Sequence, residues 1–489
     1  MTKTLSSIRR RAEALAAASR RAFASTRRLK PALYAPLILL LSAACSIRAP
    51  YVAPAVAPAE FRNTDPALLV EQSFDPRWWQ QFEDPVLDDL VRRALEANHD
   101  VRIAVARVDQ ARAFFDDVAL DRFPTAVAGA SVDRRDQAIP GFSERPRPVT
   151  TYRAGFDAFW EIDVFGRIRS QVRASAATAE SFEADVDEVR VSVAAEVARN
   201  YFEVRGLQQQ LAVAERSLTN QRETLRLTEV RRDAGIGEEQ DVASAAARVA
   251  AIDASIPPIR SAIAEREHHL AVLLAARPGA LGADLTPRSY PPLTRALAIG
   301  EPGSLLRRRP DVRAAERRLA AATAQEGVAA AELYPQISVT GFLGLLAGRG
   351  NLFNVSDSRA WAITPALSWA AFDIGSARAR LRGVEGATRE SLAEFEQIVL
   401  RALEETENAF VNYREDQARL VKLNDQARES ARAATIARVR YQEGVVDFLA
   451  LLDAERTQLQ AEDAVAQAEA GVFTSVIAVY KALGGIPVS

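Results

Sequence analysis

Residues 100 to 280 of the chain recur at 311 to 489, in the same order and at nearly constant spacing. Asp100-Val101-Arg102 returns as Asp311-Val312-Arg313 and Phe123-Pro124 as Tyr334-Pro335, both offset by 211. Trp160, Gly166, Arg205 and Gly235 return as Trp369, Gly375, Arg414 and Gly444, all offset by 209. The offset changes once, between Pro124 and Trp160, so the copies differ in length in one connection. A period of about 200 residues is too long for a solenoid repeat. It is an internal two-fold, and each copy must supply the same elements.

Composition removes several function classes. Among 489 residues there is one cysteine, Cys45, so no intrachain disulfide is possible. The histidines are His99, His268 and His269, and none pairs with the cysteine or with acids at metal-ligand spacing. His268-His269 lies in a polar helical stretch and reads as two solvated side chains. No metal, cofactor or catalytic constellation is expected, and the chain does not read as an enzyme.

The N-terminus reads as a targeting segment over residues 1–44. Residues 1 to 30 carry nine Lys/Arg and one acid, Glu13. The apolar run from Ala32 to Leu41 is too short to span a membrane. Ser42-Ala43-Ala44 then precedes Cys45 in the manner of a lipoprotein signal, with cleavage before Cys45 and a covalent lipid on it. Leu41 stands one place earlier than such a signal expects. The alternative is that Cys45 is an ordinary signal-peptide residue. Beyond residue 44 the chain carries 53 Lys/Arg against 63 Asp/Glu, an acidic balance that argues against a nucleic-acid partner.

Each copy opens on a helical pattern, Leu95 to about Leu120 and Val312 to about Leu333, stopped by Pro124 and Pro335. Alternating segments follow. Tyr152, Ala154, Phe156, Ala158, Trp160 and Ile162 fall on one face, with Arg153, Asp157 and Glu161 on the other and Phe159 as the exception. In the second copy Trp361, Ile363, Leu367 and Trp369 face one way, and Thr364 and Ser368 the other. Shorter runs, Thr125 to Asp133 and Gln336 to Leu345, precede them. Period two with aromatics on one face means strands half-exposed to something apolar. Pro365 inside the last strand predicts a bulge or an irregular ladder there.

The period then changes to steps of three and four, from Val186 through Tyr201 to Leu225, and again from Phe395 through Tyr413 to Leu423. Between Gly166 and Gly235 there is no proline and one further glycine, Gly206. Such a helix spans roughly 100 Å, longer than a globular domain holds. Gly235 and Gly444 break the helices, and return helices follow over about 239 to 276 and 447 to 483, the first interrupted by Pro257-Pro258.

Per copy the order is helix, strand, strand, very long helix, tight turn, return helix. Four strands cannot close a transmembrane barrel, which needs about eight, and an open edge in lipid leaves backbone groups unsatisfied. If the strands meet lipid, copies must associate; the count leaves two or three chains open. A soluble coiled-coil protein with a small sheet is the alternative, and it leaves the outward aromatics unexplained.

Several blocks resemble the TolC/OprM-type outer-membrane factors, in particular the NodT lipoprotein branch. They are Trp78-Trp79, Phe82, Asp84-Pro85 and Ala94-Leu95-Glu96-Ala97-Asn98; then Phe156-Asp157-Ala158-Phe159-Trp160-Glu161-Ile162-Asp163-Val164-Phe165-Gly166. The most diagnostic is Leu305-Leu306-Arg307-Arg308-Arg309-Pro310-Asp311-Val312-Arg313-Ala314-Ala315-Glu316, and Arg440-Tyr441, Gly444 and Leu452-Asp453-Ala454 match the family's periplasmic tip. The resemblance covers essentially everything after residue 45. Departures are the shifted lipoprotein signal and Ala275-Ala276 at a Leu-Gly-like ending.

The resemblance implies an α+β membrane protein. Four strands per chain and twelve per homotrimer form an outer-membrane barrel, continued by a periplasmic α-helical coiled-coil barrel. It divides the chain into signal peptide 1–44, acylated N-terminal equatorial segment 45–85, repeat 86–280, equatorial linker 281–304 and repeat 305–489. It implies a passive duct in the outer membrane, lipid-anchored at Cys45. The duct serves an efflux system with a periplasmic adaptor protein and an inner-membrane RND-type or ABC pump, and exports drugs or other small toxic compounds. A duct for type I protein secretion shares the fold, and a non-conducting envelope lipoprotein is the remaining class.

Carried onto this sequence, the gate falls at the tips. Asp453 forms a three-fold acidic ring, Asp447 is a second candidate, and Arg440 and Tyr441 hold neighbouring coils shut by ion pair and hydrogen bond. Ser244 stands in the first copy where the second has Asp453. Without the resemblance, Asp447 reads as a helix N-cap and Asp453 as a solvated residue. Gly235 and Gly444 are turn glycines at the adaptor contact. Tyr152, Phe156, Trp160, Trp361 and Trp369 are lipid-face or belt positions.

Overall fold

The computed structural model describes residues 51–54, 61–72, 77–137, 147–291, 296–300, 308–350 and 356–485. The basic segment and Cys45 lie outside the described residues. In chain order the elements are β1 (Leu69–Val70), a 3-10 turn (Trp78–Phe82), α1 (Pro85–Ala97), α2 (His99–Leu120), β2 (Thr125–Gln137), β3 (Arg147–Ile162), α3 (Arg167–Asp233) and α4 (Glu239–Leu273). The second half runs β4 (Leu297–Ala298), α5 (Pro310–Ala331), β5 (Gln336–Ala347), a 3-10 turn (Ser356–Ser358), β6 (Arg359–Ser368), α6 (Ile374–Gln442) and α7 (Phe448–Ala482). The long helices α3 and α6 have 67 and 69 residues.

The compact units cut across the repeats. One holds 121–169 with 327–377, that is, both hairpins; the other holds 51–120, 170–326 and 378–489. In the sheet unit the strand order is β2-β3-β5-β6, antiparallel throughout. The repeat extends to the register. Ala128 pairs with Phe156 in the first hairpin, and their counterparts by the offsets of 211 and 209, Val339 and Pro365, pair in the second.

Three sequence expectations need correction. The helix of the first copy does not begin at Leu95, which belongs to α1. The chain breaks at Asn98, whose Oδ1 accepts from the backbone N–H of Asp100 at 2.8 Å and of Val101 at 3.3 Å, so that α2 starts afresh. Pro257-Pro258 does not interrupt the return helix, because α4 runs through both. Both prolines lie on its exposed side, while Ile252 and Ile256 stay buried against Ala214 and Leu218 of α3, and that packing carries the helix past two missing donors. Pro365 produces no bulge: β6 pairs with β5 in unbroken register from Arg359 to Ser368. β6 is an edge strand of the chain, where a proline is tolerated if its nitrogen faces away from the neighbour.

The core of the helical unit is aromatic and joins distant parts of the chain. Trp78 stacks on Tyr480 at 5.6 Å, and Phe202 stacks on Phe473 at 4.5 Å with Phe82 edge-on to Phe202 at 4.8 Å. The N-terminal segment and the mid-chain linker meet as the parallel pair β1–β4. Buried Arg205 donates to the carbonyls of Leu285 and Thr286 and so pins the linker onto α3.

The two copies close their return helices alike. Asn98 donates to the carbonyl of Leu273 at 2.9 Å, and Arg309, its counterpart by the offset of 211, donates to that of Ala482 at 2.9 Å. Leu273 and Ala482 are themselves counterparts, and each carbonyl lies in a last helical turn, where no intrahelical donor reaches it. Arg309 also pairs with Asp311 at 2.7 Å and Glu405 at 2.7 Å. The arginine before Pro310 is thus a buried hub that fixes the end of α7 to the start of α5.

Candidate functional site

Residues paired across an antiparallel ladder share a face, so the registers sort the sheet unit. One face carries Ala126 to Val132 in steps of two on β2, Tyr152 to Ile162 on β3, Ile337 to Leu345 on β5, and Trp361 to Leu367 on β6. Every residue in those runs is apolar, including Pro365, apart from the phenolic hydroxyl of Tyr152. The other face carries Ser131, Asp133, Arg153, Asp157, Glu161, Ser338, Thr340 and Thr364. The apolar face is uncovered: Phe156 is 59% and Trp361 74% exposed, with Ile363 and Leu367 similar. On the polar face Arg153 pairs with Asp157 and lies over the Phe342 ring at 4.1 Å.

Trp160 and Trp369 mark one margin of this face, and each has a polar anchor. The indole N–H of Trp160 donates to the carbonyl of Arg122 at 3.1 Å, and that of Trp369 to Leu333 at 3.1 Å. The acceptors are themselves counterparts by the offset of 211. Each sits two residues before the proline that ends a helix, so its carbonyl lacks a helical donor. A tryptophan with an apolar body and a bonded indole suits a membrane–water boundary. Trp369 lies one residue past the end of β6.

At the helical turns the structure places Gly235 and Gly444 in the left-handed region, with φ of 77° and 75°. The backbone N–H of Ile236 reaches the carbonyl of Arg231 at 3.0 Å, and Val445 that of Arg440 at 2.8 Å; Gly235 and Gly444 donate to Arg232 and Tyr441. This is a glycine-capped helix end made twice, and only glycine enters that conformation without steric cost. Ile236, Val445 and Leu449 are exposed around the turns.

The candidate gate residues do not act alike. Asp447 is the N-cap of α7, its carboxylate accepting from the Ala450 N–H at 2.9 Å. Asp453 is exposed and pairs with Arg456 on its own helix. Arg440 is exposed. Tyr441 is buried, 3% exposed, beside Phe448, Leu451 and Ala245, and burial raises its phenol. Its ring and backbone, rather than its hydroxyl, meet the coil of α3. Arg231 of α3 lies over the ring at 4.7 Å and donates to the Tyr441 carbonyl at 3.0 Å. Sequence reading missed Arg231, although it is the counterpart of Arg440 by the offset of 209. Deeper in the same bundle Arg438 of α6 and Thr224 of α3 both donate to Glu455 of α7, at 2.7 and 3.2 Å. Among the described residues no group of three or more His, Cys, Asp or Glu is placed to hold a metal ion.

The family model for outer membrane efflux proteins matches the chain twice, over residues 90–276 and 302–485, once per repeat. The chain belongs to the outer membrane efflux protein family. Among its relatives is the pyoverdine export outer membrane protein OpmQ of Pseudomonas putida, 31% identical over 468 residues, which cover 92% of this chain and 96% of that protein. The toluene efflux pump outer membrane protein TtgI of Pseudomonas putida is 31% identical over 419 residues, 84% of this chain and 87% of that protein. The solved outer-membrane channel OprN superposes with a TM-score of 0.88 at 48% identity, over 90% of this chain and 99% of that one. The protein is therefore an outer-membrane efflux channel with the TolC-like α+β fold, of a family of channels rather than enzymes.

Proposed function

We propose that three copies associate so that their four-stranded sheets close one twelve-stranded barrel, with the apolar faces toward lipid and the polar faces lining a duct. The carrying observation is the open sheet with an exposed apolar face and, among the described residues, two free edges, an arrangement no single chain can place in lipid. From Tyr152 to Ile162 the apolar run is about 33 Å long at ~3.3 Å per residue, which at the usual strand tilt gives the roughly 25 Å of an outer-membrane apolar band. Trp160 and Trp369 anchor its boundary, and a lipid on Cys45 adds a second attachment.

The duct is passive. A periplasmic adaptor docks on the turns at Gly235 and Gly444, and an RND-type or ABC pump in the inner membrane delivers the cargo. Small organic compounds fit this role better than a protein cargo, in keeping with relatives named for pyoverdine and toluene. The turns close the resting duct: Arg231 and Tyr441 lock two coils of one protomer, and Asp453, exposed near the turn, lines the constriction beside the capping carboxylate of Asp447. The test is dye accumulation in cells that lack their own channel but retain pump and adaptor. The protein should lower steady-state accumulation of a small fluorescent dye; accumulation unchanged at normal expression contradicts the proposal.

A further inference from the structure

Among the described residues β2 and β6 each have one unpaired edge, and the internal repeat specifies how those edges meet. Inside the chain the second strand of copy one, β3, pairs with the first strand of copy two, β5, as in Gly155↔Gly344 and Ala154↔Leu345. The equivalent junction between molecules joins the second strand of copy two, β6, to the first strand of copy one, β2, of another molecule. The offsets of 209 and 211 already carry one hairpin's register onto the other. Applied to the β3–β5 junction, they convert Gly155↔Gly344 into Thr364↔Asp133.

We infer that β6 pairs antiparallel with β2 of a second copy in this register, with Ala366 opposite Ser131, Pro365 opposite Val132, Thr364 opposite Asp133 and Ala362 opposite Arg135. The pairing rests on the proposed barrel and adds its partner strand and register. It keeps the faces sorted: Pro365 and Val132 lie on the apolar face, Thr364 and Asp133 on the polar one.

The position of Pro365 agrees. A Cβ built on Gly155 would stand 2.8 Å from the Gly344 Cα, so the two Cα atoms are no more than about 4.3 Å apart, the narrow pair of an antiparallel ladder that exchanges no backbone hydrogen bonds. Gly155 therefore bonds toward β2, and its counterpart Thr364 toward β5, as does the Thr364 carbonyl that accepts from the Thr340 hydroxyl at 3.4 Å. Pro365, next in line, turns its nitrogen to the free edge. That explains its regular register with β5, and it leaves one ladder bond unmade at each junction between molecules. The tight glycine pair also has no equivalent between molecules, where Thr364 and Asp133 carry side chains, so that junction runs at ordinary strand spacing.

Cysteine cross-linking of the full-length protein tests the register. Ala366→Cys with Ser131→Cys places two thiols at a narrow pair; Ala366→Cys with Asp133→Cys, or with Gly129→Cys, displaces them by two residues. Ala362→Cys with Arg135→Cys repeats the test should the first pair impair folding, and single-cysteine variants control for other contacts. Under mild oxidation the matched pairs should yield at least about tenfold more covalent trimer than the displaced pairs, because only they meet disulfide geometry. Preferential cross-linking of a displaced pair, in protein that remains trimeric by mass, overturns the register and leaves the barrel standing. Protein that is monomeric in detergent and membrane, with no pair cross-linking, overturns the barrel itself.

Discussion

The guanidinium of Arg231 lies 4.7 Å over the ring of Tyr441 and donates to the Tyr441 backbone carbonyl at 3.0 Å. This contact crosses between the two copies of the repeat, and its counterpart residues, Arg440 and Arg232, cannot reproduce it because two arginines would meet. The contact therefore joins α3 to α6 within one molecule and has no repeat-related counterpart of the same residue types.

Arg231→Ala removes the stacking and one charge-assisted hydrogen bond, together worth about 2 kcal/mol. Cells carrying it should admit large hydrophilic antibiotics that the wild-type channel excludes, at unchanged channel abundance. Unchanged sensitivity would remove Arg231 from the gate.

Trp160→Phe and Trp369→Phe keep an aromatic body at the sheet margin and delete the bonds to Arg122 and Leu333. Each should cost about 1 kcal/mol per chain, read as a lower dissociation temperature of the oligomer. Because the two anchors are counterparts, the two losses should be similar; a loss confined to one variant would show that only one anchor bears on assembly.

Arg309→Met leaves Asp311 without its ion-pair partner and the Ala482 carbonyl with only the longer bond from the Thr406 hydroxyl at 3.4 Å. Losing the charge-assisted bonds of a buried guanidinium to the part-buried Asp311 and to Ala482 costs about 2 kcal/mol, so the variant should unfold at lower temperature. Arg309→Lys should rescue little, because one ammonium cannot replace a fork that reaches Asp311, Glu405 and Ala482 together.

Burial raises the Glu469 carboxyl above the usual range, against a hydrogen bond from Gln209 that lowers it. The folded state therefore holds this proton more tightly than the unfolded chain. Its contribution to stability is full below the unfolded pKa of about 4.3 and is lost as pH rises through the raised folded value. Glu469→Gln should match wild type in thermal unfolding near pH 4 and exceed it near pH 7. Equal behaviour at both pH values would place the carboxyl in water.

Strand faces and turns were legible because each depends on local rules. Side-chain alternation assigned Tyr152, Phe156 and Trp160 to one face before any pairing was known, and Gly235 and Gly444 had to end helices. Asp447 was legible as an N-cap for the same reason. What escaped was set by contacts distant in sequence. Ile252 and Ile256 packing on α3 overrides the proline pair in α4, and the orientation of Pro365 depends on which side of β6 meets β5. Arg231 looked like one arginine among many on a polar helix, and its role appears only when the two turns are brought together. Arg309 lay in the most diagnostic block, yet its partners Glu405 and Ala482 stand 96 and 173 residues away. The repeat itself held a usable signal: comparing Arg231 with Arg440, and Asn98 with Arg309, singles out these positions.

Single-channel conductance of the purified protein in a planar bilayer, wild type beside Asp453→Ala, reads the duct itself. The proposed trimer predicts discrete conductance steps, small and mostly closed in the wild type and larger in the variant. Equal, small steps in both would keep the duct and remove Asp453 from the constriction. Protein shown to be trimeric and membrane-inserted that gives no conductance in either form would mean that the assembled chains form no duct.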